Sequence, residues 1–92
     1  MESRPRTPIK ISFDILYTIY KNGGKARPTR ILYRANLSYE RMQRYLKTLI
    51  EKGLIKEERN RHTYYTLTER GLEFISEFMK MERLVEAFGF EI

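Results

Sequence analysis

The chain has 92 residues, a formal net charge of +6, 41% apolar residues and no cysteine. That length makes one small domain with a modest core, and without cysteine neither disulfides nor thiolate metal sites can form. The basic balance points to a polyanionic partner; no apolar run reaches the roughly 18 residues that span a membrane, and the polar start, Met1 to Arg6, does not read as a signal peptide, so a cytoplasmic protein is expected.

Residues 1–7 are basic, polar and proline-containing and read as a mobile arm. Thr7 before Pro8 is a helix start, a cap followed by a proline at the first helical position. Ile9, Phe13, Leu16 and Tyr20 recur at helical spacing, and Ile15 and Ile19 widen that apolar face. Asn22-Gly23-Gly24 ends the helix. Lys25-Ala26-Arg27 is a short connection. Pro28 opens a second helix with Ile31, Leu32 and Ala35 inward. Asn36-Leu37-Ser38 is a turn with Leu37 as an apolar plug. Ser38 caps a third helix, and Glu40 suits the dipole of its first turn. Met42, Tyr45, Leu46, Leu49 and Ile50 give this helix one wide apolar stripe. Gly53 terminates it, and Leu54 folds back on the last turn.

Leu54–Glu58 and Thr63–Leu67 are rich enough in strand formers to predict a hairpin around Arg59-Asn60-Arg61-His62. Alternation puts Tyr65 and Leu67 on one face, Tyr64 and Thr66 on the other. Thr68 caps a final helix that runs to about Phe88. This helix carries two apolar stripes. Leu72, Ile75 and Met79 form one, expected against the rest of the chain. Phe74, Phe78, Met81, Val85 and Phe88 form the other, spaced as a heptad seam over two heptads. One helix cannot bury both stripes against one small head, so the second stripe calls for another copy of the chain.

In order, these elements spell a helix-turn-helix followed by a β-wing. The fold class is α+β, mainly α with a small β-hairpin: a winged helix-turn-helix followed by a C-terminal dimerisation helix. The expected division is a head over 1–68 including the arm 1–7, and a dimerisation helix over 69–92. Such a fold presents a helix to a groove and a hairpin to a backbone, which makes duplex DNA the expected partner. Charge placement agrees. Residues 1–36 hold eight Lys/Arg against two Asp/Glu, residues 37–68 seven against four, and residues 69–92 three against six. The head is therefore strongly cationic and the last helix acidic.

The outward side of the third helix, 38–52, offers Tyr39, Arg41, Gln43, Arg44 and Lys47. Arginine can clamp guanine edges and glutamine adenine edges in the major groove. Arg59, Arg61 and His62 occupy the expected wing tip, 59–62, within reach of a phosphate or the minor groove. Arg27, Thr29, Arg30 and Arg34 lie around the second helix, whose start commonly holds phosphates through Arg27 or Arg30; Lys25, Arg4 and Arg6 are weaker backbone candidates. The lone His62 has no carboxylate or cysteine partners to make a metal site. No catalytic constellation, cofactor loop or metal set is found. Gly23-Gly24 is a helix stop, not a phosphate loop.

Three runs carry a family resemblance: Thr29-Arg-Ile-Leu-Tyr-Arg-Ala-Asn-Leu-Ser-Tyr39, then Tyr45-Leu-Lys-Thr-Leu-Ile-Glu-Lys-Gly-Leu-Ile55, then Tyr65-Thr-Leu-Thr-Glu-Arg-Gly71. Together they resemble the archaeal winged-helix chromatin proteins of ten-kilodalton size. Ala35-Asn-Leu-Ser-Tyr39 is the most specific segment, whereas Leu67-Thr-x-x-Gly71 is shared by many winged-helix regulators. The resemblance implies binding to double-stranded DNA and homodimerisation through a C-terminal helix paired as an antiparallel coiled coil. The expected function is thus non-enzymatic: a nucleoid-associated chromatin protein or a transcription regulator. The alternative is a winged helix whose basic face binds an acidic protein.

Overall fold

Side-chain caps start three of the four helices in the computed structural model, which describes residues 5–92. The hydroxyl of Thr7 accepts from the Lys10 amide at 3.2 Å, that of Ser38 from the Arg41 amide at 3.3 Å, and that of Thr68 from the Gly71 amide at 3.0 Å. Each satisfies an amide that the helix itself leaves without a partner. The resulting helices are α1 (Pro8–Lys21), α3 (Tyr39–Glu51) and α4 (Glu69–Ala87). The fourth, α2 (Pro28–Ala35), has Pro28 at its start and no side-chain cap. Its last residue gives way to Asn36 in the left-handed region, φ 56°, and the Leu37 amide bonds the Leu32 carbonyl at 3.1 Å. Leu37 is buried, as the turn plug should be.

The sheet has three strands. β2 (Ile55–Arg59) and β3 (Thr63–Leu67) form the expected hairpin, with Glu57 opposite Tyr65 and Arg59 opposite Thr63. A third strand, β1 (Lys25–Ala26), pairs with β3 where the sequence predicts only a connection. The order is β1-β3-β2, all antiparallel. A two-residue strand has no periodicity to detect; it is defined by its partner.

α1 lies at the centre of the core. Ile11, Phe13, Ile15, Leu16 and Ile19 are buried, while Ile9 and Tyr20 are exposed. The apolar face is thus rotated from the expected one, because α1 is surrounded by α2, β1, β3 and α4 rather than packed on one neighbour. α3 contributes Met42, Leu46 and Leu49 to the core, with Tyr45 and Ile50 half-buried beside them. Gly53, at φ 76°, ends α3 and lets the Leu54 amide return to the Leu49 carbonyl at 3.0 Å.

α4 corrects the expected division of its stripes. Phe78, assigned to the dimer seam, is only 3% exposed and stacks on Phe13 of α1 with ring centroids 4.5 Å apart. Phe74 packs half-buried beside it, at 5.8 Å. Leu72, expected against the head, is exposed. A salt bridge from Lys10 to Glu82, 3.1 Å, together with the stack of Phe13 on Phe78 one turn on, shows that α1 and α4 run antiparallel. Beyond Glu82 the helix leaves the head, and Leu84, Phe88 and Phe90 are exposed there. Residues 1–4 of the expected arm, Arg4 among them, lie outside the described residues. Arg6 is tethered: it pairs with Asp14 at 2.7 Å and donates to the Asn36 carbonyl at 3.0 Å.

Candidate nucleic-acid interface

The joint between α3 and α4 sets the orientation of the third helix. Thr68 donates its hydroxyl proton to the Gly53 carbonyl at 2.7 Å, its amide bonds the Leu54 carbonyl at 3.2 Å, and Arg70 donates to the Lys52 carbonyl at 3.0 Å. Carbonyls that the end of α3 leaves unpaired are thereby satisfied by the start of α4. Gly71 completes the joint. A Cβ there would collide with the Leu54 carbonyl oxygen and come within 2.7 Å of Leu67 Cδ1. The Leu67-Thr-x-x-Gly71 segment is therefore a docking joint that only glycine allows.

On the surface this joint supports, Tyr39, Arg41, Arg44 and Lys47 are all exposed. They do not form one cluster. Arg41 and Arg44 border a cleft of about 1170 Å³ that also meets Ile9 of α1 and Phe74 of α4. Tyr39 and Gln43 face the wing instead. Gln43 is half-buried on the side of α3 near Tyr65 of β3. Burial pushes the Tyr65 hydroxyl up from its ordinary pKa, and the nearby Glu57 carboxylate pushes it further the same way.

The wing is electrostatically arranged. Arg59 is not at the tip: it ends β2 and pairs with Glu57 at 2.7 Å. That hydrogen bond and charge hold its guanidinium more firmly protonated than usual. Glu58 is paired with Lys25 at 3.6 Å. Both wing carboxylates are thus neutralised, leaving Arg61 and His62 exposed at the turn that the Asn60 amide closes on the His62 carbonyl at 3.0 Å. The Lys25 ammonium and the Arg27 guanidinium both lie over the Tyr64 ring, at 4.7 and 5.9 Å. This contact joins the start of α2 to the wing. Arg30 is exposed on α2.

Among the described residues, Arg59 alone of the ten expected contact residues is engaged in an ion pair. The others with positive charge are presented unneutralised. The described residues contain no group of three or more His, Cys, Asp or Glu placed to hold a metal ion. No helix among them is long and apolar enough to cross a membrane. Sequence reasoning missed Tyr33 on α2, which is 76% exposed beside Arg30 and Arg34. Its signal was there: a large aromatic between two arginines, on a helix without an acidic residue.

A helix-turn-helix whose second helix is braced by a three-stranded wing defines a winged-helix protein. Comparison bears this out: the winged helix-turn-helix family matches residues 5–86, and the chain belongs to that family. Among solved structures it is similar to Sso10a-2, a DNA-binding protein from Sulfolobus solfataricus, with 30% identity and a TM-score of 0.72 over 89% of this chain and 87% of that one. The transcriptional regulator BldR from the same organism shares the fold at 18% identity, with a TM-score of 0.73 over 86% of this chain and 59% of that one. An uncharacterized protein of Methanocaldococcus jannaschii is 29% identical over 82 residues, 89% of this chain and 79% of its own length. The archaeal resemblance of the sequence is thus met in its relatives.

Proposed function

We propose that the protein is a non-enzymatic binder of double-stranded DNA, acting as a transcription regulator or chromatin protein. α3 enters the major groove with Tyr39, Arg41, Arg44 and Lys47, and Gln43 joins them at the wing side. Arg61 and His62 reach the adjacent backbone or minor groove, and Arg27 and Arg30 hold phosphates beside α2. Arg59 contributes less than its neighbours, because Glu57 already occupies it. One observation carries this reading: the cations of α2, α3 and the wing tip are exposed without carboxylate partners among the described residues, while both acids of the wing are paired. Phosphates are the partners that such a surface lacks.

The protein further acts as a homodimer. Met81, Leu84, Val85 and Phe88 follow one another at steps of three, one and three along the free end of α4, and all but Val85 are exposed. An apolar stripe of that kind on a projecting helix fits a second copy of itself. Two basic heads on one acidic stem then bind one duplex.

Binding of random and selected duplexes across a salt series tests the DNA reading. Phosphate contact predicts that log K falls linearly with log salt, by about 0.9 per contact. Arg44→Ala is expected to cost about 1–3 kcal/mol of duplex affinity if it clamps a base edge. Salt-independent binding, or preference for an acidic protein over DNA, refutes the proposal.

A further inference from the structure

The outer face of α2 extends beyond Arg27 and Arg30, the part that a duplex on α3 is proposed to use, to Tyr33 and Arg34. Arg27, Arg30 and Arg34 follow one another at steps of three and four, so they form one stripe along about 10 Å of helix. They border, with Thr29 and Tyr33, a shallow concavity of about 470 Å³. α2 contains no acidic residue, and none of the three arginines is ion-paired among the described residues. Tyr33 is the most exposed large apolar side chain described, at 76%. Tyr17 and Tyr20 pack together at 5.9 Å and Tyr64 lies under Lys25, while Tyr39, 64% exposed, belongs to the proposed duplex face of α3. Tyr33 has neither a ring contact nor a side-chain hydrogen bond among the described residues.

We propose that the outer face of α2 binds an unpaired DNA strand, with a base stacked on Tyr33 and the flanking phosphates held by Arg30 and Arg34. Three arginines alone would suit any polyanion. The exposed ring among them decides the occupant. In a duplex both faces of nearly every base are already covered by their neighbours, so a flat aromatic surface meets nothing to stack on. An unpaired base offers a free π-face, and a ring flanked by cations is the arrangement that single strands are gripped by. The strand is DNA because the face adjoins the duplex-binding helices: Arg30 lies at the boundary of both footprints, so a strand leaving a duplex on α3 runs onto Tyr33. The protein would then recognise junctions and melted tracts as well as intact duplex.

The chain has no tryptophan, so Tyr33→Trp introduces a single indole reporter at the site. Titration with oligothymidylate is expected to quench it saturably, whereas a duplex of equal length and heparin, a polyanion without bases, bind with little quenching. Tyr33→Ala should weaken oligothymidylate binding by about five- to 150-fold, the effect of losing one stacked base, and leave duplex affinity unchanged. The Arg44→Ala, Lys47→Ala double variant should do the reverse, which separates this site from the proposed duplex site whatever the fate of the latter. Equal quenching by heparin or duplex overturns the stacking, and so does undiminished oligothymidylate binding in Tyr33→Ala. Clearly tighter binding of oligouridylate overturns the assignment to DNA.

Discussion

The hydroxyl of Thr68 donates to the carbonyl of Gly53 at 2.7 Å while it accepts from the amide of Gly71 at 3.0 Å, so one side chain caps α4 and ties it to the end of α3. Replacing Thr68 with Ala removes both bonds. The lost cap alone costs about 1 kcal/mol, and a domain of this size loses roughly 4–8 °C of melting temperature for each kcal/mol. Serine, which keeps the hydroxyl, should restore most of it. Gly71→Ala strikes the same joint by crowding the Leu54 carbonyl and Leu67, and overpacking of this kind costs about 1–3 kcal/mol. Thermal unfolding followed by circular dichroism checks both; a Thr68→Ala melting curve superimposable on the parent would show that the joint does not hold the fold.

The pairing of Arg59 with Glu57 changes what is expected of the wing. Arg61→Ala should reduce the salt slope of duplex binding by about one, as loss of one phosphate contact does. Arg59→Ala should reduce it by less, because the guanidinium is already neutralised by Glu57 at 2.7 Å. Glu57→Gln should then raise duplex affinity and steepen the slope, since it frees a cation and removes an anion. Equal slopes in the Arg59 and Arg61 variants would mean that the pair opens when DNA is bound.

What the sequence discloses is the part of the structure governed by neighbours along the chain. Thr7, Ser38 and Thr68 announce the helix starts, and Gly23, Gly53 and Asn36 the ends, because capping is local chemistry. The α3 stripe of Met42, Leu46 and Leu49 is legible for the same reason. Misjudged features depend on distant partners. β1 exists through β3. The inward face of α1 was turned by the elements around it, which took Ile11 in and left Ile9 and Tyr20 out. Phe78 fits a heptad seam by spacing, yet Phe13 claims it. Arg59 counted as a wing-tip cation because the strand was expected to end at Glu58; pairing with Thr63 carries β2 on to Arg59, which then shares a face with Glu57 two residues before it.

Tyr65 makes the wing sensitive to alkali. Burial holds its proton, and the carboxylate of Glu57 reinforces this, so its pKa lies above the ordinary value of 10.0. The folded state therefore binds that proton more tightly than the unfolded chain does. The associated stability is whole below pH 10 and is lost as pH rises through the raised folded value. Tyr65→Phe cannot ionise, so its melting temperature should fall less steeply between pH 9 and 11 than that of the parent protein, whatever its value at neutral pH. Parallel slopes in the two proteins would remove Tyr65 as the source.

The free end of α4 makes the most exposed prediction. Leu84 and Phe88 are 60% and 73% exposed, and Met81 and Val85 lie on the same stripe. Fully burying a side chain of this kind contributes roughly 1.5–3 kcal/mol, so two stripes of four provide ample drive for association, even after the cost of bringing two chains together. Phe78 has no part in it, since it already lies in the head against Phe13. Leu84→Asp with Phe88→Asp should thus give a folded monomer, with unchanged helix content and near-parental melting of the head. Its duplex affinity should fall, by up to about 10²–10⁴-fold if two heads engage one duplex in the dimer. Phe78→Asp should behave otherwise: a carboxylate forced into the core unfolds the head instead of separating two of them. Sedimentation equilibrium distinguishes the cases, and a parent protein that sediments as a monomer at micromolar concentration would leave the stripe without the partner assigned to it here.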